Sequence, residues 1–289
     1  MDKEIKNILV IGGCGFIGSH LCKELVVLGH TVTCIDNYFT GTRSSHTAGV
    51  SYIEADANDI NELSFSERFS LVFHLGEYSR VEQSFDDIDV VFRYNHGTIY
   101  NVLKFCRMQN CKLIYTGSST KFGDDGANAS ASPYAWTKSS NTDLVKTFCD
   151  WFDLEFAITY FYNVYGGNEI KEGKYATLIA KYLSLAERGA SSLPVVSPGT
   201  QMRNFTFIDD VVRALILIGE KGHGDGYGIG ADKAYSILEL AKLFNKDIEL
   251  LPERRGNRLS APLNVDKTKA LGWGCEMSLQ RYISERLAK

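Results

Sequence analysis

Neither sign of charge dominates this sequence: 31 Lys and Arg face 35 Asp and Glu across 289 residues, a formal net charge of −4. A surface that follows nucleic-acid phosphates needs a basic surplus gathered on one face, so no nucleic-acid partner is expected. No run approaches the roughly 18 apolar residues a membrane helix requires. The best stretch, Val211 to Ile218, is short and holds Arg213, so no membrane association is expected. Residues Met1 to Asn7 lead straight into a strand-like run with no basic-then-apolar leader, which makes a cytoplasmic location the expectation. The seven cysteines include no C-x-x-C pair and no grouping with histidine at ligand spacing. They read as free, mostly buried thiols in a reducing compartment, and no metal site is expected. Repeats and low-complexity tracts are missing too. With 44% hydrophobic and 23% charged residues, the chain is an ordinary globular one, long enough for a large core and a smaller second one. Small molecules are the expected partners.

The first half alternates short β-branched runs with longer amphipathic stretches. Strands are predicted at Ile8–Ile11, Thr31–Ile35, Ser51–Glu54, Leu71–Leu75, Leu113–Thr116 and Glu155–Thr159. Helices are predicted at Ile17–Leu28, Val90–Met108 and Tyr134–Phe152, where apolar residues recur every three or four positions. Strands alternating with crossover helices make a doubly wound parallel sheet. After Tyr160 the pattern loosens into glycine-rich loops at Gly166-Gly167 and Gly222–Gly230 and helices of moderate length. Residues 1–160 are therefore read as a cofactor domain, with part of 205–230 joining it. Residues 161–289 are read mainly as a smaller domain over the sheet's C-terminal edge, where ligands of such sheets bind.

Gly12-Gly13-Cys14-Gly15-Phe16-Ile17-Gly18 directly follows the first strand and opens a helix. Such a turn lets backbone approach a pyrophosphate, and the helix N-terminus behind it favours the anion. Asp36 ends the second strand, at about the roughly 20-residue spacing of a carboxylate that holds the adenosine ribose hydroxyls. A carboxylate there repels a 2′-phosphate, so NAD is expected rather than NADP. The rival role for Asp36 is a turn cap. Arg43 is read as a solvated loop residue, and Asp56 as either an adenine contact or a plain loop residue.

Tyr134 and Lys138 lie four apart in a helix opened by Ser132-Pro133, so both side chains share a face. A phenol is a poor base near neutrality, but a cation about 4 Å away at an effective dielectric near 20 favours its ionised form by roughly 4 kcal/mol. Tyr134 then becomes a candidate base, and Lys138 a donor to the nicotinamide ribose as well. At the end of the fifth strand, in Thr116-Gly117-Ser118-Ser119-Thr120, a hydroxyl would project into the crevice. Ser118 is the candidate, with Ser119 and Thr120 expected to cap the following turn.

With these pieces in chain order, the sequence resembles the extended short-chain dehydrogenases/reductases, within the NAD-dependent nucleotide-sugar epimerase/dehydratase family. The likeness extends to Cys34-Ile35-Asp36-Asn37, Val72-Phe73-His74-Leu75-Gly76, Ser132 to Lys138, Tyr162 to Gly166, Gly199 to Phe205 with Asp209-Asp210, Gly228-Ile229-Gly230 and Leu271-Gly272-Trp273. It implies a Rossmann-type sheet with a smaller C-terminal α/β substrate-binding domain. It implies NAD against Gly12, Gly15, Phe16, Ile17, Gly18, Asp36, Asn37, Asp56, Ala57, Leu75, Gly76, Tyr134 and Lys138. By the same resemblance Tyr134 is the base, Lys138 its partner and Ser118 the assisting hydroxyl. The nucleotide sugar would meet Ser84, Ser118, Ser119, Asn163, Arg203 and Arg254. Guanidinium groups suit bidentate diphosphate contacts. A homodimer paired through Val90–Met108 and Tyr134–Phe152 is implied too, with Val90, Val91, Ile99 and Val102 either at that interface or facing the sheet.

Departures from the family pattern narrow the chemistry. Ser119 and Thr120 stand where 4,6-dehydratases carry an Asp-Glu pair, so dehydration is not expected. Glu77 replaces a small residue and would lie near the nicotinamide or reach solvent. Tyr94 stands where Asn precedes x-x-Gly, and Asn204 where Asp follows the arginine. The expected activity is 4-epimerisation of a nucleotide sugar through a 4-keto intermediate. The alternatives are oxidation or reduction without the return hydride, and a non-enzymatic NAD sensor.

Overall fold

The computed structural model describes residues 6–253 and 262–288. Seven parallel strands form one sheet: β1 Asn7–Ile11, β2 Thr31–Asp36, β3 Val50–Glu54, β4 Leu71–His74, β5 Lys112–Ser118, β6 Phe156–Phe161 and β7 Gly224–Ile229. Their order is β7-β6-β5-β4-β1-β2-β3. The chain reverses its winding between β1 and β4, which opens a crevice at their C-terminal ends. Alternation along β1 explains the layering. Ile8 and Val10 face one core with α1 (Phe16–Val27) and the Ile208–Lys221 helix, while Leu9 and Ile11 face the other with α2 (Thr98–Gln109) and α3 (Pro133–Phe152). A third cluster, including Tyr165, Tyr182, Leu193, Phe244 and Ile283, forms the core of the C-terminal region. We propose the two-domain division on these grounds. Among the described residues, no helix is long and apolar enough to cross a membrane. Cys14, Cys22, Cys34, Cys106, Cys111 and Cys149 are buried free thiols and Cys275 is exposed.

Two expectations need correction. The glycine-rich stretch read as a loop supplies β7, which pairs with β6 through Tyr227–Thr159, Gly228–Tyr160 and Ile229–Phe161. Its register shifts between Gly224 and Tyr227, where Gly224 and Gly226 take positive φ. An edge strand with a glycine bulge has no side-chain period to read. The helix expected over Val90–Met108 is also not uniform: Phe92–Gly97 is wound as a π-helix between Ile88–Val91 and α2. The wider turn rotates Asn95 into the interior. There its Oδ1 accepts from the Tyr78 N–H at 2.7 Å and its Nδ2 donates to Thr137 Oγ1 at 3.0 Å.

Candidate active site

The glycine turn is built by close backbone approach. Gly12 has φ +81°, and a Cβ there would lie 2.6 Å from Gly76 Cα; at Gly18 it would lie 2.1 Å from the Gly12 oxygen. Both positions therefore exclude any side chain, and α1 begins directly behind them. Asp36 braces the turn: Cys14 N–H donates to one carboxylate oxygen and Tyr38 N–H to the other, each at 2.8 Å. Burial pushes its carboxyl above the ordinary range, against the pull of the Cys14, Tyr38 and Gly15 N–H groups. Asp36 is thus a turn cap, and each oxygen keeps acceptor capacity toward the cavity it lines. Arg43 is not merely solvated, since it pairs with Glu54 and lies over the Tyr38 ring. Asp56 accepts from Asn58 N–H at 3.0 Å and pairs with Arg93 at 2.9 Å.

The turn forms one end of a cavity of about 890 Å³. That volume lies within the range of small-molecule and cofactor sites. Its walls bring together Gly12, Gly15, Phe16, Ile17, Gly18, Asp36, Asn37, Asp56, Ala57, Leu75, Gly76, Ser118, Ser119, Tyr134, Lys138, Asn163 and Arg203. Ser84 does not join them. It is fully buried, and its hydroxyl donates to the Val81 carbonyl oxygen at 2.5 Å, which makes it a support of its own loop. Arg254 lies outside the described residues.

Placement of the reactive trio follows from local structure. The Ser132 hydroxyl accepts from Ala135 N–H at 3.1 Å and Pro133 occupies the first turn, fixing the start of α3 just before Tyr134. One turn later Lys138 is buried beneath it. β5 runs two residues past its expected end and carries Ser118 to the crevice, paired opposite Phe161. The expected capping roles are reversed: Ser118 Oγ accepts from Thr120 N–H at 3.3 Å and from Thr120 Oγ1 at 2.9 Å. Asn163 Nδ2 donates to the Asn204 carbonyl at 3.0 Å, and Arg203 Nη1 to the Met202 carbonyl at 2.8 Å.

Two residues carry more than the sequence conveys. Glu77 does not reach solvent; its side chain is 2% exposed and pairs with Lys138. Arg80 lines the cavity, with Nε and Nη2 donating to the Tyr175 carbonyl oxygen at 3.1 and 2.5 Å and Nη1 to the Ser79 carbonyl and hydroxyl at 3.0 Å. Among the described residues no carboxylate lies within ion-pair distance of it. Contacts between loops remote in sequence leave no periodic signal.

Among the described residues no group of three or more His, Cys, Asp or Glu is placed to hold a metal ion. The cradle closed by Gly12 and Gly18, the helix N-terminus behind it and the Asp36 carboxylate fit NAD. Changing Asp36 to Asn, which would remove a charge-assisted bond proposed to the ribose, is expected to weaken NAD by about 10- to 100-fold, the equivalent of about 1.5–3 kcal/mol. Calorimetric titration checks it, and unchanged affinity would leave Asp36 with the cap alone.

Comparison with known proteins identifies the family. The NAD dependent epimerase/dehydratase family model matches residues 8–230. A UDP-N-acetyl-alpha-D-glucosaminuronate decarboxylase of Bacillus cytotoxicus is 31% identical over 82% of this chain and 78% of its own. A putative UDP-glucose 4-epimerase of Methanocaldococcus jannaschii is 26% identical over 96% of this chain and 95% of its own. The crystal structure of the Thermotoga maritima UDP-glucose 4-epimerase with UDP-glucose superposes with a TM-score of 0.90 at 26% identity, covering 98% and 97% of the two chains. The chain therefore belongs to the NAD-dependent epimerase/dehydratase family of extended short-chain dehydrogenases/reductases, as a nucleotide-sugar enzyme that uses NAD.

Proposed function

We propose that the protein is a nucleotide-sugar 4-epimerase. The observation that carries this reading is the shared cavity, which joins Ser118, Tyr134 and Lys138 to the glycine turn, while Ser119 and Thr120 put no carboxylate beside Ser118. Tyr134, as phenolate, takes the proton from the sugar's 4-hydroxyl, and Ser118 donates a hydrogen bond to the oxygen as it becomes a carbonyl. The cradle of Gly12, Gly15 and Gly18 with Asp36 would hold NAD, which would supply the acceptor and then the donor for the C4 hydride, the 4-keto sugar turning between the two transfers. Tyr134 then gives its proton back. Asn163 and Arg203 hold the diphosphate or nucleoside end of the substrate. Two copies pair through the α2 and α3 region, a reading supported by exposed Phe92, Tyr100, Trp136 and Trp151. Val91, Ile99 and Val102 are fully buried, and Ile99 and Val102 pack with the sheet residues of the second core instead.

Arg80 favours a second reading. The relative named a glucosaminuronate decarboxylase acts on a sugar with a carboxylate on C5, and oxidation at C4 turns that carboxylate into a β-keto acid, which loses carbon dioxide readily. A guanidinium in the cavity, bonded among the described residues to neutral oxygens, suits such a carboxylate. Incubating the protein and NAD with neutral and uronic nucleoside-diphosphate sugars, with products followed by proton NMR, separates the readings. A C4 epimer supports the first. A pentose product with carbon dioxide replaces it by the second, and net NADH with a keto sugar points to a dehydrogenase without the return step.

A further inference from the structure

Glu77, the residue that breaks the family pattern beside the nicotinamide side of the cavity, sits at the centre of a buried network. The Lys138 ammonium donates to Glu77 Oε2 and to the Thr116 carbonyl oxygen. Tyr115 Oη donates to Glu77 Oε2 at 3.1 Å, and Asn141 Nδ2 donates to Oε1 at 3.2 Å. His74 Nε2 lies 3.4 Å from Oε1. Burial alone would push this carboxyl up, but the Lys138 ammonium and the His74 imidazole outweigh it and hold the group below the usual carboxylate range. An ionised carboxylate therefore faces the cation that the proposed mechanism assigns to the activation of Tyr134. An ammonium has three protons to donate, and two are already committed.

We propose that Glu77 is a positioning residue for the Tyr134–Lys138 pair: it clamps the ammonium so that its remaining proton is available to the cofactor or Tyr134, and it offsets the ammonium's charge, so that Tyr134 ionises at a higher pH than Lys138 alone would impose. Other groups facing the pair are Tyr115 from β5, His74 from β4, Arg80 and Tyr78 from the following loop, and His96, whose Nδ1 lies 3.0 Å from Asn141 Oδ1. Among the described residues, Glu77 is the carboxylate paired with Lys138. The sign follows directly. Removing that charge leaves the positive potential at Tyr134 larger, favours phenolate, and moves its ionisation to lower pH. This inference rests on Tyr134 being the proton-transfer group, not on which sugar is bound.

The test therefore needs no substrate. The near-ultraviolet phenolate signal of the NAD-bound full chain is titrated with pH, and the spectrum of Tyr134→Phe is subtracted to isolate one of the 15 tyrosines. In Glu77→Gln the midpoint is expected to fall by about one pH unit or more, the size of shift that a single nearby charge produces. Glu77→Asp keeps the charge but withdraws it by one carbon, and is expected to give a smaller fall; it also serves if Glu77→Gln does not fold. A midpoint that stays in place or rises would overturn the proposal and leave Glu77 as a structural partner of Lys138. Loss of the sugar assignment would show separately, in the NMR products.

Discussion

Replacing Tyr134 by Phe is expected to lower turnover by about 10²- to 10⁴-fold while NAD affinity stays unchanged, because proton transfer by a positioned side chain contributes on that scale. The substitution removes one oxygen and keeps the ring, so the start of α3, fixed by Ser132 and Pro133, is retained. The proposed holds on the cofactor, the glycine cradle and Asp36, lie on other elements of the same cavity. Steady-state rates and NAD titration on the same preparation check both halves. Turnover near that of the wild type would remove Tyr134 from the mechanism, and a matching loss of NAD affinity would mark it as a cofactor contact instead.

Gly18→Ala is expected to be strongly damaging to the cofactor half. The added Cβ would stand 2.1 Å from the Gly12 oxygen and 2.7 Å from Gly13 Cα, so backbone rather than a flexible side-chain tip must move. Overpacking costs about 1–3 kcal/mol and occasionally more, and a clash with backbone belongs at the upper end, about 3 kcal/mol. If binding has to restore the native turn at that cost, NAD affinity falls by about 100-fold. Gly274→Ala is the control, since a Cβ there meets nothing within 4 Å. Thermal unfolding and NAD titration of the two variants side by side check this. Equal behaviour would mean that α1 shifts freely off the turn, contrary to the packing of Leu21, Cys22 and Leu25 in the core.

Much of the sheet was legible because β1, β2, β4, β5 and β6 are short, largely buried runs rich in β-branched and aliphatic residues, with helical patterns between them. The last strand was not, since Gly224, Gly226 and Gly228 offer no side chains to pattern. The glycine turn and the Tyr134/Lys138 spacing were legible for a local reason: their function depends on residues within one turn of chain. The pairing of Glu77 with Lys138 spans 61 positions and arises only when β4 and α3 are brought together. Arg80 reaches the Tyr175 carbonyl across 95 positions in the same way. Ser84 shows the opposite failure, a family position whose side chain the loop here turns inward onto Val81.

The most direct test of the account follows the hydrogen at C4. A nucleotide sugar deuterated at that carbon, incubated with the protein and NAD in ordinary water, is examined by proton NMR after epimerisation. Removal and return of the same hydride within one site predicts the C4 epimer with its deuterium retained. An epimer that has lost deuterium to solvent, or conversion with C4 left uninverted, would contradict it.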